Sequence, residues 1–164
     1  MLPLCLLCIL KVGEIEMSKI ILAAGFISAF IFGANEAISQ CKCAFVPGSY
    51  RLPAHEALKS SDVVFTGEIV EVKKGVSANQ YDVKFKIQIA WKKDVGETIV
   101  LRTYKVSCGF FGEKGEQYLV YAYMRDGMLT TNGCTRTEKL DKASADLKEF
   151  EEKGEKPVKQ YETK

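Results

Sequence analysis

A chain of 164 residues is long enough for one domain with a real hydrophobic core. Its 23 basic and 21 acidic side chains leave a formal charge of only +2. That balance argues against nucleic acid or an anionic membrane surface as the partner.

The N-terminal stretch reads as an address. Met17-Ser18-Lys19 opens a short basic region, and Ile20 to Phe32 follows without a charge. A bilayer-spanning helix needs about 20 such residues, whereas a signal-peptide core needs about 7–15. Small or polar residues (Gly33, Ala34, Asn35, Ala37, Ser39) come next, as a cleavage region should. Residues 1–16 fit poorly ahead of this, with a second apolar run, Cys5, Cys8, Glu14 and Glu16. Translation is therefore expected to start at Met17. Residues 1–40 are assigned to the signal region, and export to an extracellular space or a periplasm is expected. Cleavage before Cys41 places Ile38 and Gln40 at the −3 and −1 positions. Cleavage after Ser39, with Ala37 at −3, meets the small-residue rule better, so two mature N-termini stay open.

Four cysteines remain beyond the leader: Cys41, Cys43, Cys108 and Cys134. An even number in a small exported domain implies disulfides. Cys41 and Cys43 are too close in the chain to bond each other comfortably. That leaves Cys41–Cys108 with Cys43–Cys134, or Cys41–Cys134 with Cys43–Cys108. Either set clips the N-terminus to the far end of the domain, and each long loop is worth roughly 4 kcal/mol by loop entropy. A zinc site made of these four would lack the usual C-x2–4-C knuckles.

Val46 to Tyr50 is a turn, and Pro53 to Ser60 reads as a short helix with proline at its start. Asp62 to Lys74 is a strand in which Gly67 signals a bulge or bend. Tyr81 to Trp91 alternates, with Tyr81, Val83, Phe85, Ile87, Ile89 and Trp91 on one face. Thr98 to Val106 is a third strand, followed by a glycine-rich loop that carries Cys108. Gln117 to Met124 is a fourth strand, with Tyr121 and Tyr123 on one side. Asp126-Gly127 is a hairpin signal, and Met128 to Cys134 is a short fifth strand. Leu140, Ala143, Leu147 and Phe150 form a helical stripe. The tail from residue 151 is charged, contains Gly and Pro, and is expected to fray. Five strands joined as meanders, with one helix before and one after, predict an all-β fold. The natural closure is a five-stranded barrel of OB type, because it removes sheet edges; a sandwich needs about seven strands.

Little in the chain suggests catalysis. His55 is the only histidine, no nucleophile is marked beside it, and no phosphate loop or ligand cluster appears. No enzymatic activity and no cofactor are expected. An aromatic face of Tyr81, Phe85, Trp91, Tyr121 and Tyr123 could stack bases as OB-folds do, but export and weak charge favour the reading as barrel core.

Four stretches carry a family resemblance: CKC at residues 41–43, SDVVFTGEIVEV at 61–72, SCGFF at 107–111 and GEQYLVYAYMRDGMLTTNGCTRT at 115–137. Residues 41–137 resemble the N-terminal domain of the tissue inhibitors of metalloproteinases (TIMP family). More broadly they are similar to the netrin-like (NTR) module, an OB-fold barrel. Residues 138–164 would then form a C-terminal helix and charged tail. The resemblance implies the pairings Cys41–Cys108 and Cys43–Cys134. It also implies a secreted metalloendopeptidase inhibitor with no membrane segment in the mature form. Its partner would be a zinc metalloendopeptidase whose metal is bound in trans by the α-amine and carbonyl of Cys41. Lys42 would enter the pocket beside that zinc, Cys43, Ala44 and the residues to Pro47 would run along the cleft, and Val106, Ser107 and Cys108 would flank it. Family inhibitors usually carry a small or β-branched residue where this chain has Lys42, and the family's third disulfide in this domain has no counterpart here. The alternative expectation is a netrin-like extracellular binding module without inhibitory activity.

Overall fold

The structure is a computed structural model that describes Cys41, Cys43 and residues 46–161. The signal region 1–40, Lys42 and Ala44 lie outside the described residues. In chain order the elements are α1 (Ala54–Ser60), β1 (Val63–Lys74), β2 (Gln80–Ala90), β3 (Thr98–Tyr104), β4 (Gln117–Arg125), β5 (Met128–Thr130), β6 (Glu138–Lys139), α2 (Ser144–Glu152) and β7 (Lys159–Gln160).

The strands run β1-β2-β3-β5-β4, and β4 returns to pair with β1, so five strands close into a ring. Every pairing in the ring is antiparallel except the contact of β3 with β5. The alternating side chains of β1 to β4 explain the closure: each strand turns one apolar face to the inside. Phe65 and Ile69, Val83, Phe85 and Ile87, Leu101, Val120 and Ala122 fill the interior with Phe110 and Tyr118. Phe65 meets Phe85 edge-on at 5.4 Å and Phe110 meets Tyr118 at 4.9 Å, arrangements that suit the ring quadrupoles. Each such side chain withdrawn from water contributes about 1.5–3 kcal/mol.

A second core lies outside the ring. Val64, Leu119 and Tyr121 point away from the interior and are covered by Ala54, Ala57 and Leu58 of α1, and by Ala143 and Phe150 at α2. Strand β4 is thus buried on both faces, which explains its almost unbroken apolar run from Tyr118 to Tyr123. Ala143, Leu147 and Phe150 of the stripe do pack inward, while Leu140 is only half-buried and the helix itself begins only at Ser144. His55 binds Glu149 of α2 through Nδ1. The same carboxylate accepts the N–H groups of Ala54 and His55, so it caps α1 from the neighbouring helix where Pro53 offers no cap.

Three local expectations need correction. The single face from Tyr81 to Trp91 is broken: Thr66 pairs with Ile89 and Gly67 with Ile87, so Gln88 is bulged out. Beyond the bulge Ala90 points inward, while Trp91 packs outside against Phe150 at 5.5 Å. Gly67 permits this, because a Cβ there would lie 2.7 Å from the Lys86 carbonyl. The fifth strand stops at Thr130 and does not reach Cys134. The tail is not frayed where it is described: Val158 N–H bonds Ala90 O, Tyr161 N–H bonds Gln88 O, and Tyr161 Oη donates to Asp94. β3 covers β2 only as far as Lys86, so the last residues of β2 present an open edge that β7 fills. Among the described residues no helix is long and apolar enough to cross a membrane.

Candidate functional site

The candidate site is built on three irregular segments at the cysteines. The first follows β3. Val106 N–H bonds Tyr104 O, and Gly109 N–H bonds Val106 O at 2.8 Å, which folds residues 104–109 into a tight loop. Only glycine suits position 109, since a Cβ would stand 1.8 Å from the Tyr104 carbonyl oxygen. Phe110 N–H then bonds Thr103 Oγ1 at 3.1 Å, locking the loop's exit.

The second segment follows β5. Thr131 to Thr137 is dense in hydroxyls, and these substitute for a strand ladder. Thr131 Oγ1 donates to Tyr121 O, contacts Thr135 Oγ1 at 3.0 Å and Thr137 Oγ1 at 2.7 Å, while Tyr121 N–H bonds Thr137 Oγ1. The third is the turn at 46–50, whose Ser49 bridges to Thr135. Tyr50 N–H bonds Cys134 O, and Arg136 N–H bonds Gly48 O at 2.7 Å. The first two segments are joined by the Gly109–Asn132 bridge and by Gly133 N–H on Cys108 O at 2.9 Å.

Across this frame Cys41 is bridged to Cys108 and Cys43 to Cys134, with Cα atoms 5.3 Å apart in each pair. The loops closed span 67 and 91 residues. This is the pairing the family resemblance implies; the opposite pairing is not formed. Cys41, Cys43 and Cys108 are half-buried and Cys134 is buried. Ser107 is exposed, Val106 is 49 % exposed, and Tyr50 beside Cys134 is 47 % exposed. The structure therefore brings together five of the seven expected ridge residues, Cys41, Cys43, Val106, Ser107 and Cys108. Lys42 and Ala44 fall outside the described residues.

Behind the site lies a charged network that the sequence reading missed. Asp146, 2 % exposed at the start of α2, accepts from Tyr121 Oη at 2.7 Å and from Arg136 Nε at 2.8 Å, and Arg136 Nη2 reaches its other oxygen. Arg136 Nη1 donates to the carbonyls of Leu52 and Tyr50. One guanidinium thus fastens the turn after the N-terminal segment to the loop of Cys134. Burial, then the charge of Asp146, push the Tyr121 phenol far above its ordinary value. The hydrogen bond to Asp146 raises Arg136, so the guanidinium stays charged at any ordinary pH. The signal for this network was a lone arginine amid threonines, which has no periodicity to announce it.

A comparison with known protein families and with curated proteins finds no match for this chain.

Proposed function

We propose that this chain is a secreted inhibitor of zinc metalloendopeptidases, with its strand ring acting as an OB-type barrel of the netrin-like, TIMP-resembling kind. The observation that carries this reading is the pair of bridges from Cys41 and Cys43 to two loops that are themselves hydrogen-bonded together. A catalytic zinc keeps one position open for water. The α-amine and carbonyl of a terminal Cys41 would fill it as a five-membered chelate. The amine must be neutral to bind, a modest demand given a reference pKa of about 7.7–8.0. The bridge at the same residue holds the chelate in place beforehand, so little entropy is lost on docking. Val106, Ser107 and Cys108 would flank the target's cleft, with Cys43 and Ala44 running along it. The Lys42 side chain would enter the adjacent pocket. Stripping its ammonium of water costs several kcal/mol, so the reading calls for a target with an acidic group there. In this reading the chain is no enzyme and carries no cofactor of its own.

The test begins with the mass of the secreted chain. A mature N-terminus at Cys41, with inhibition that disappears when one alanine is added ahead of it, supports the chelate. A mature chain that begins at Gln40, or an inhibition constant indifferent to the added alanine, removes it. The favourable cleavage site after Ser39 supports the second reading, in which Gln40 acylates the amine and the ridge serves as a non-inhibitory extracellular binding surface.

A further inference from the structure

Among the described residues the four cysteine sulfurs all lie within 4.8 Å of one another. The contacts between the two bridges are close: Cys41 Sγ is 3.5 Å from Cys43 Sγ and 3.7 Å from Cys134 Sγ. A tetrahedral zinc with Zn–S of about 2.3 Å needs its sulfurs about 3.8 Å apart. We infer that the thiol form of this chain, before its bridges close, is a tetrathiolate site that holds one zinc ion through Cys41, Cys43, Cys108 and Cys134. The inference is independent of the inhibitor reading, which concerns the bridged form.

Three observations favour it. The segments that carry Cys108 and Cys134 are held together by contacts other than the S–S bonds: Gly133 N–H on Cys108 O, the Gly109–Asn132 bridge and Tyr50 N–H on Cys134 O. The absence of C-x2–4-C knuckles, which weighs against zinc in the sequence, is beside the point when the ligands come from three segments converging in space. Charge is the third. Four thiolates and one Zn²⁺ carry a net −2, which needs compensation. No acidic residue lies within three positions of any of the four cysteines, whereas Lys42 and Lys105 do. Cys134 is 5 % exposed, the others are half-buried, and among the described residues the cluster holds these four ligand groups and no fifth, which fits a closed, structural site.

The chemistry balances without a reductant, since the chain is synthesised with thiols. Four S–H groups and Zn²⁺ give four Zn–S bonds and four protons. A disulfide oxidant then reverses it: two equivalents accept four electrons, two protein S–S bonds form, and Zn²⁺ leaves. Zinc and bridges are alternatives at one site, and the metal keeps the four thiols in register until oxidation.

The experiment uses the full chain carrying Cys5→Ser and Cys8→Ser, so that only these four thiols remain, reduced with a phosphine. Cobalt(II) is the probe. One equivalent should give the intense visible bands of tetrahedral cobalt thiolate, zinc should bleach them, and the bridged form should show none. Zinc should also block alkylation of all four thiols, and Cys41→Ser or Cys134→Ser should weaken binding by an order of magnitude or more. Because a variant can lose its fold, a second readout uses the four-thiol chain alone: its thermal midpoint should rise with zinc and not with magnesium. Absent bands at one equivalent, bands unchanged in both serine variants, or a midpoint indifferent to zinc would each overturn the inference.

Discussion

Asp146 offers the sharpest test of how the frame behind the cysteines is held. Asp146→Asn keeps the volume and removes the charge. The new amide would face the N–H donors of Arg136, and the buried Tyr121 hydroxyl would lose its anionic acceptor. Breaking a buried ion pair from one side costs about 3–5 kcal/mol. The Arg136 side chain is 24 % exposed and can recover some hydration, which favours the lower end. We expect a loss of about 3 kcal/mol, a large share of the 5–15 kcal/mol typical of a domain. Tyr121→Phe removes one donor and leaves the ion pair, so about 1.5 kcal/mol is expected. Both changes act on the same hydrogen bond, one by removing its donor and the other by neutralising its acceptor. The double variant should therefore fall short of the sum by about 1 kcal/mol or more. Urea denaturation measures all three, with an unchanged slope as the check that the unfolded state is the same. An Asp146→Asn effect below about 1 kcal/mol, or strict additivity, would show that the network does not carry the load assigned to it.

Glu116 should shape the acid limb of stability. The Lys139 ammonium, then the Glu113 N–H and the Tyr118 hydroxyl, hold its carboxyl at about 2, against an ordinary value of 4.5. A folded-state value below the unfolded one means stabilisation that is present above the ordinary value and lost as pH falls towards about 2. Thermal midpoints across that interval should drop less steeply for Glu116→Gln than for the wild type and converge with it at the acid end; parallel curves would refute the assignment. Gly109→Ala pushes a methyl against the Tyr104 carbonyl oxygen, so the loop of Val106 to Cys108 must shift. A loss of about 2 kcal/mol or more is expected by denaturation, and stability within about 0.5 kcal/mol of wild type would show that the loop yields freely.

Much of the ring was legible because its signals are local. The alternation of Val83, Phe85 and Ile87, the Asp126-Gly127 turn and the apolar positions of β1 and β4 each report on the strand that contains them. Asp126 and Gly127 both take positive φ, as the hairpin signal requires. The face of Trp91 was misread because a bulge at Gln88 shifts the phase, and a bulge is set by the partner strand. The end of the fifth strand was misread because Thr131 to Thr137 has strand-like residues whose hydroxyls bond one another and the Tyr121 backbone. The tail was misjudged for the opposite reason: its composition is that of a frayed end, but an open edge on β2 gives its amides somewhere to go.

The site divides in the same way. The positions Cys41, Cys43, Val106, Ser107 and Cys108 were named only through the family resemblance, and the bridges place Cys41 and Cys43 against the loops that carry Cys108 and Cys134. The bridge partners were narrowed to two sets by chain proximity and separated only by the resemblance; the folded chain forms Cys41–Cys108 and Cys43–Cys134. The convergence of the four sulfurs follows from either pairing, whereas the Tyr121–Asp146–Arg136 network has no periodicity that would have announced it.

Local periodicity and turn chemistry by themselves determined that this chain makes strands, roughly where, and with an apolar face for each. The tertiary structure alone decided that β4 returns to β1, that a second core covers the outside of β4, and which charges meet behind the cysteines. The reason is physical: hydrophobic patterning is read off neighbours a few residues apart, whereas a buried carboxylate or a sulfur finds partners tens of residues away, and those partners are chosen by closure of the ring.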